Sequence, residues 1–178
     1  MINIEIPEFK FCVADGLDDS FLPTRGKDTD SGYDVRASAD VTFDIPTGKA
    51  LIPLGIRAFI PAGWWLDLRP RSSTFAKLNL HCLYGVIDEG YENGIMLAVS
   101  WQPPHVMETS AINFVNLSLG FDIPDPLTIA KGDRLGQLIP VKRQEMKVTG
   151  VSKEEFDKLC KERGGERGTS GFGGSGQR

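Results

Sequence analysis

The chain has 178 residues, a length that fits one domain with a single core. Hydrophobic residues make up 40% of it, but 20 glycines and 11 prolines interrupt them, which disfavours a helix bundle and favours a fold with many turns. The formal net charge of -4 removes the broad electrostatic basis for nonspecific nucleic-acid binding.

The N-terminus and the cysteines predict the compartment. The first residues, MINIEIP, alternate polar with apolar side chains and lack the basic start and apolar run of a signal peptide. No stretch approaches membrane-spanning length. Cys12, Cys82 and Cys160 are odd in number and show no CxxC spacing, which argues for reduced thiols and against a zinc site or a disulfide framework. We therefore expect a cytoplasmic protein with no membrane or nucleic-acid partner.

Apolar and polar residues alternate with a period of two along most of the chain, as half-buried strands require. Turn segments with proline or glycine separate these runs at short intervals, as in Pro46-Thr-Gly, Pro61-Ala-Gly and Lys131-Gly-Asp. The predicted strands cover residues 2–6, 41–45, 50–60, 64–69, 95–101, 111–119 and 134–141. The pattern predicts an all-β sandwich or barrel.

One helix is predicted near the C-terminus. Ser152 can cap it, Glu155 completes a capping box, and Gly164 stands where a left-handed stop belongs, about three turns later. The run 73–78 is compatible with one further helical turn. From residue 164 onward the sequence is GGERGTSGFGGSGQR, which offers too little apolar surface to order itself. We expect a single β domain over residues 1–163 followed by a flexible glycine-rich arm over 164–178.

Two segments in the first half of the chain carry candidate chemistry. Asp30-Ser-Gly-Tyr-Asp34 joins two carboxylates through a glycine, a pattern that is also typical of a solvated turn. Pro70-Arg-Ser-Ser73 places a guanidinium beside two hydroxyls at a strand end, which suits either an anion site or a surface turn.

Three further segments follow. In Gly85-Val-Ile-Asp-Glu-Gly-Tyr91, Asp88 is predicted at a strand end, where its carboxylate either orients water or satisfies its own turn. Gly132-Asp-Arg-Leu-Gly-Gln137 is typical of a turn that leads into a buried strand, with Asp133 and Arg134 paired across the turn and Gln137 on the polar face of the strand. The arm contains RGTSGFGGSG, which lacks the pattern of a phosphate-binding P-loop.

The two histidines and three tryptophans do not form a recognisable site. His81 and His105 have no HExxH or HxE partner, so a structural role is favoured. Trp64, Trp65 and Trp101 stand in strand-like runs and are predicted to be core or subunit-contact residues.

Taken together and in order, the five segments resemble the five motifs of the trimeric dUTPase family. The matching stretches are DSGYDVRASAD, PRSSTFAK, GVIDEGY, GDRLGQL and RGTSGFGGSG, and they run from residue 30 to residue 176. The resemblance implies a single-domain jelly-roll subunit and a homotrimer with active sites at subunit boundaries. It also implies Mg²⁺-dependent hydrolysis of dUTP to dUMP and pyrophosphate, which limits uracil in DNA and supplies dUMP for thymidylate synthesis.

The resemblance also implies residue roles. The catalytic residues would be Asp88, Asp34 and Arg71. The substrate-binding residues would be Ser72, Ser73, Gly85, Val86, Ile87, Tyr91, Gln137, Arg167, Gly171, Phe172 and Gly173. Asp34 would hold the hydrated Mg²⁺ through water, with the metal carried mainly by substrate phosphates, and Asp88 would orient the attacking water. Tyr91 would pack beneath the deoxyribose, Phe172 would cover the uracil, and a backbone hairpin over residues 80–86 would read the base.

The chain departs from the family pattern in two informative places. Gly90 stands where an aspartate is common, and residues 92–131 form an unusually long segment between the third and fourth motifs, a candidate site for a protein partner. Two alternatives stay open: a dCTP deaminase-like enzyme on the same fold, and a nucleotide-gated regulatory binding protein. The deaminase reading expects a glutamate base near Ala98, and alanine cannot move a proton.

Overall fold

The computed structural model describes residues 6–44, 48–102 and 125–164. The chain divides into two compact units, Met1–Arg143 and Gln144–Arg178. The predicted domain boundary between residues 163 and 164 stays a prediction. Within the described residues no helix is long and apolar enough to cross a membrane.

The regular secondary structure in the described part of the first unit is almost entirely β-strand, so the predicted all-β class is confirmed. Its strands are β1 Lys10–Val13, β2 Tyr33–Arg36, β3 Val41–Phe43, β4 Lys49–Pro53, β5 Ile56–Phe59, β6 Trp64–Pro70, β7 Leu80–Cys82, β8 Gly85–Ile87, β9 Met96–Trp101, β10 Leu127–Ile129 and β11 Arg134–Lys142. A short 3-10 turn, Asp19–Phe21, and one helix, α1 Ser72–Leu78, complete it.

The strands form antiparallel sheets in which the predicted alternation becomes the core. A four-stranded sheet has the order β2-β11-β6-β8 and a three-stranded sheet the order β4-β9-β7, while β1 pairs with β5 and β3 with β10. On β9, Leu97, Val99 and Trp101 are buried, as the period-two pattern predicts. Buried Val35, Leu68 and Leu138 mark the core face of the four-stranded sheet, so their neighbours in each strand lie on its other face.

The strand predicted over residues 50–60 is two strands in the structure. Gly55 adopts a left-handed backbone with φ of 66°, and a Cβ there would collide with Leu17 and Ser38. At this bend β4 pairs with β9 and β5 pairs with β1, so the two halves belong to different sheets. The predicted strands 2–6 and 111–119 lie wholly or almost wholly outside the described residues.

The second unit contains the helix that the capping box predicted, α2 Lys153–Arg163. The Ser152 hydroxyl accepts the Glu155 N–H at 3.2 Å, and Gly164 ends the helix in the left-handed conformation. None of the helix residues is buried within its own unit.

Candidate active site

The four-stranded sheet brings four of the five candidate segments onto neighbouring strands. The segment ending in Asp34 leads into β2, the segment ending in Gln137 leads into β11, Arg71 follows β6, and Asp88 follows β8. Because the sheet order is β2-β11-β6-β8, segments far apart in sequence become neighbours in space. The antiparallel register then decides which of their residues meet.

Asp34 lies between two arginines. Its Oδ1 lies 3.2 Å from Arg71 Nε and its Oδ2 lies 3.2 Å from Arg134 Nη1. The side chain of Asp34 is 13% exposed, whereas those of Arg71 and Arg134 are 31% and 45% exposed. One carboxylate therefore orients two guanidinium groups that remain open to solvent, and the three side chains together carry a net positive charge. That is the electrostatic arrangement of an anion site.

Arg134 is a member of this cluster that the sequence did not single out for a role. The predicted pairing of Arg134 with Asp133 across the turn is wrong, because Arg134 contacts Asp34 instead. The Asp133 carboxylate instead accepts the Ala130 N–H at 3.0 Å and closes its own turn. Arg134 and Asp34 are 100 residues apart, so only the pairing of β2 with β11 brings them together. No local spacing in the sequence signals that contact.

The start of helix α1 is fixed beside the cluster by one backbone carbonyl of β11. The Leu135 carbonyl accepts the Arg71 N–H at 2.9 Å and the hydroxyl of buried Thr74 at 2.6 Å. Ser72 and Ser73 form the first turn of α1, where the backbone N–H groups have no partner within the helix. Their hydroxyls and amides therefore stand at the same end of the sheet as the Asp34–Arg71–Arg134 cluster.

Gln137 occupies the middle of the same row. It lies directly between Asp34 on β2 and Arg69 on β6, so the three side chains share one face of the sheet. Gly32 lies against the Gln137 side chain, and a Cβ at Gly32 would overlap the Gln137 amide. Gly32 does not have a positive φ, so the glycine is needed for space rather than for backbone conformation.

Asp88 and Tyr91 lie at the opposite edge of this sheet. Asp88 directly follows β8 and is exposed, and its backbone carbonyl accepts the Tyr91 N–H at 3.0 Å. The Tyr91 hydroxyl donates to the Gly94 carbonyl at 3.1 Å, which holds the ring across its own turn. The structure therefore brings Asp88 and Tyr91 together.

The register separates Asp88 from the Asp34–Arg71–Arg134 cluster within one chain. Asp34 shares its row with Arg69 of β6, while β8 pairs Ile87 with Leu66, which puts Asp88 level with the other end of β6. With a rise of about 3.3 Å per residue and about 4.8 Å between strands, this spacing separates Asp34 from Asp88 by about 20 Å. A single phosphate group therefore cannot contact both the cluster and Asp88 of one chain.

The predicted hairpin over residues 80–86 is a corner between two sheets. β7 pairs with β9 and β8 pairs with β6, so β7 and β8 do not pair with each other. At the corner, the Leu83 N–H donates to the Ala98 carbonyl at 2.9 Å, and the Arg69 guanidinium lies 4.6 Å from the Tyr84 ring centre. These two contacts direct the chain from one sheet to the other.

β8 is an edge strand of its sheet within the described residues, with Gly85, Val86 and Ile87 paired on one side to β6. Its other side presents backbone N–H and C=O groups, the donors and acceptors that a planar base edge can use.

Cys82, on β7, does not supply a nucleophile, because burial raises the pKa of its thiol to about 11 and keeps it protonated near neutral pH.

A metal ion beside this cluster would have to be carried by the substrate, because the cluster itself has a net positive charge. Among the described residues no group of three or more acidic, histidine or cysteine side chains forms a metal cage. Both oxygens of Asp34 already contact arginines, so any contact of Asp34 with an ion held by phosphates would pass through water. Four predicted residues, Arg167, Gly171, Phe172 and Gly173, lie outside the described residues.

Comparison with known proteins gives consistent similarities. A family model described as dUTPase matches residues 18–110. The deoxyuridine 5'-triphosphate nucleotidohydrolase of Mycolicibacterium gilvum is 32% identical over 157 residues, which cover 87% of each chain. The protein of the same name from Debaryomyces hansenii is 29% identical over 156 residues, covering 88% of this chain and 81% of its own.

Solved structures show the same similarity. The dUTPase of Staphylococcus bacteriophage 80alpha, in complex with dUpNHpp, superimposes with a TM-score of 0.71 at 25% identity over 96% of this chain and 99% of its own. A mutant dUTPase of phage phi11 of S. aureus, which shows the coordination of a structural Mg(II) ion, has a TM-score of 0.62 at 23% identity over 82% of this chain and 97% of its own. The jelly-roll fold predicted from the sequence is confirmed by these structures.

Proposed function

The chain belongs to the dUTPase family and hydrolyses dUTP to dUMP and pyrophosphate, and from this premise we propose which residues carry the reaction. The observation that supports the assignment best is the Asp34–Arg71–Arg134 cluster at the start of α1. A triphosphate brings about four negative charges, so its binding site needs several charge-assisted donors arranged in advance. This cluster, with the neighbouring serines, supplies them.

We assign phosphate binding to Arg71, Ser72, Ser73 and Gln137, with Arg134 as a further cation. Asp34 holds both guanidinium groups in place before the substrate arrives, so little reorganisation is needed at the moment of reaction. Gly32 leaves the space that the Gln137 amide occupies. The phosphate donors are thus fixed by backbone register and by close packing.

Asp88 is proposed to orient the attacking water and accept its proton. The water oxygen forms a bond to phosphorus as the phosphoanhydride bond between the α and β phosphates breaks, and pyrophosphate leaves. Tyr91, whose N–H bonds to the Asp88 carbonyl in the same turn, is proposed to pack beneath the deoxyribose and exclude a 2′-hydroxyl. The side of β8 that faces away from β6 is proposed to read the uracil through the backbone groups of Gly85, Val86 and Ile87.

Mg²⁺ is the proposed cofactor. Asp34 would hold its hydration shell, while the phosphates supply the direct ligands, as is usual for this ion in phosphate chemistry. When bound, the ion neutralises part of the charge of the triphosphate. The Mg(II) ion in the phi11 phage enzyme supports the same choice of metal here.

A homotrimer with sites at its subunit boundaries is proposed from the separation of the two half-sites. Because Asp88 and the Asp34–Arg71–Arg134 cluster lie about 20 Å apart in one chain, a complete site requires the cluster of one subunit and Asp88 of another. Closed cyclic assemblies repeat one such boundary around a ring. Three chains would therefore form three equivalent sites.

The remaining predictions are proposals from the sequence, and the arm residues among them lie outside the described residues. Arg167, Gly171, Phe172 and Gly173 of the arm would close over bound substrate, with Phe172 on the uracil. A partner site within residues 92–131 and a cytoplasmic location are proposed as well.

The 80alpha enzyme is one of the phage dUTPases described as controlling transfer of virulence genes, which supports a partner role. Retention of a protein partner by the immobilised chain with dUTP but not without it would support this role, and identical retention would refute it.

Product analysis tests the function directly. Purified protein is incubated with Mg²⁺ and dUTP, dCTP or UTP, and pyrophosphate and ammonia are measured separately. We expect pyrophosphate from dUTP, no ammonia from dCTP, and slow cleavage of UTP because Tyr91 excludes the ribose 2′-hydroxyl. Ammonia release from dCTP without pyrophosphate from dUTP would instead support the deaminase alternative.

A further inference from the structure

The turn that follows Asp88 is tied to two other parts of the chain by Glu89. The Gly63 N–H and Arg143 Nη1 each donate to Glu89 Oε2 at 2.9 Å. The Arg143 N–H in turn donates to the Gly63 carbonyl at 2.8 Å. Glu89, Gly63 and Arg143 therefore form a closed three-membered network that joins the turn after β8, the turn before β6 and the residue after β11.

This network borders the space into which Asp88 opens. A cavity of about 420 Å³ is lined by Asp88 and Glu89 together with Trp64, Trp65, Val86, Gly90 and Arg143. The other hydrogen bonds within residues 88–91 are local: the Tyr91 N–H bonds back to Asp88 and its hydroxyl bonds to Gly94. Among the described residues, Glu89 is thus the side chain that fixes this turn relative to the strands around it.

The exposure of the pair argues against a role in global stability. Glu89 and Arg143 side chains are 37% and 53% exposed, and ion pairs at such positions contribute little to the free energy of unfolding. Locally the same bonds restrict a short turn next to an edge strand of three residues, β8. A shift of about 1 Å in a reacting group is enough to cost about 10²-fold in rate.

We propose that Glu89 is a positioning residue, which acts with Gly63 and Arg143 to hold the carboxylate of Asp88 where the attacking water binds. The inference rests on the proposed role of Asp88. In this proposal the effect of Glu89 passes through the turn that it anchors. The same anchor sets the place of Tyr91, so sugar selection should depend on it too.

The test compares Glu89→Ala, Glu89→Gln and Arg143→Met in dUTP hydrolysis. Glu89→Ala should lower kcat about tenfold, since the turn loses both bonds to its neighbours. Glu89→Gln keeps an acceptor oxygen without the charge and should fall between Glu89→Ala and the unchanged protein. The ratio of dUTP to UTP cleavage should fall in parallel, and the denaturation midpoint should stay unchanged.

Glu92→Gln is the matched control, because it removes the same charge from the same loop while the Glu92 bond to Arg57 uses the backbone carbonyl.

A cycle with Asp88→Asn separates this inference from the proposed function. If Glu89 acts through Asp88, Glu89→Ala should slow the Asp88→Asn protein no further. The positioning role is overturned if Glu89→Ala hydrolyses dUTP at the full rate, if the two effects multiply, or if the loss of rate matches a loss of stability. If Asp88→Asn itself hydrolyses dUTP normally, the proposed role of Asp88 has failed instead.

Discussion

Replacing Asp88 by Asn should lower dUTP turnover by about 10² to 10⁴-fold, because the amide keeps the size of the side chain but cannot take a proton from water. The fold should survive, since Asp88 is exposed and its hydrogen bond to Tyr91 uses the backbone carbonyl, which asparagine retains. Turnover is measured by pyrophosphate release at saturating dUTP.

Asp40→Asn is a suitable control for this substitution. It makes the same chemical change at another exposed aspartate, whose carboxylate accepts the Lys131 N–H at 2.7 Å. We expect it to leave turnover nearly unchanged. A folded Asp88→Asn protein with near-normal turnover would remove Asp88 from the mechanism.

Truncation after Gly165 should nearly abolish hydrolysis. It removes Arg167 and Phe172, the cation and aromatic ring that the family resemblance places over the substrate, and with them the segment proposed to exclude water from the closed site. The free energy of unfolding should change by no more than about 1 kcal/mol, as is usual for changes away from a core. Turnover and thermal denaturation are measured on the same preparation.

Phe172→Ala removes the aromatic ring and keeps the rest of the arm, so it should give a turnover between those of the truncated and full-length proteins. Protease cleavage of the arm should slow when a dUTP analogue and Mg²⁺ are added. The proposed role of the arm would be contradicted if the truncated protein hydrolysed dUTP at the full-length rate. It would also be contradicted if protease cleaved the arm equally fast with and without the analogue.

The features that the sequence predicted correctly are those encoded over short distances. The buried positions of β9 follow from the alternation that ends at Trp101, and helix α2 follows from Ser152, Glu155 and Gly164. At Gly90 an added Cβ would meet nothing within 4 Å, so the glycine that departs from the family pattern is not required for space.

The features that it missed depend on long-range register. The contact of Arg134 with Asp34 spans 100 residues and arises only when β11 lies beside β2. The anchor of Glu89 on Gly63 and Arg143 likewise needs three strands in place. The break at Gly55 was missed because apolar residues continue on both sides of it, although the two halves pair with different strands.

The most direct test of a site shared between chains is complementation between two inactive variants. Asp88→Asn and Arg71→Ala chains with different tags are co-expressed, and oligomers that contain both are isolated by two successive affinity steps. A ring of three that holds both variants has one boundary with an intact Arg71 on one chain and an intact Asp88 on the next, so we expect about one third of the unchanged activity. Activity no higher than that of either variant alone, in oligomers shown to contain both, would contradict a site assembled from two chains.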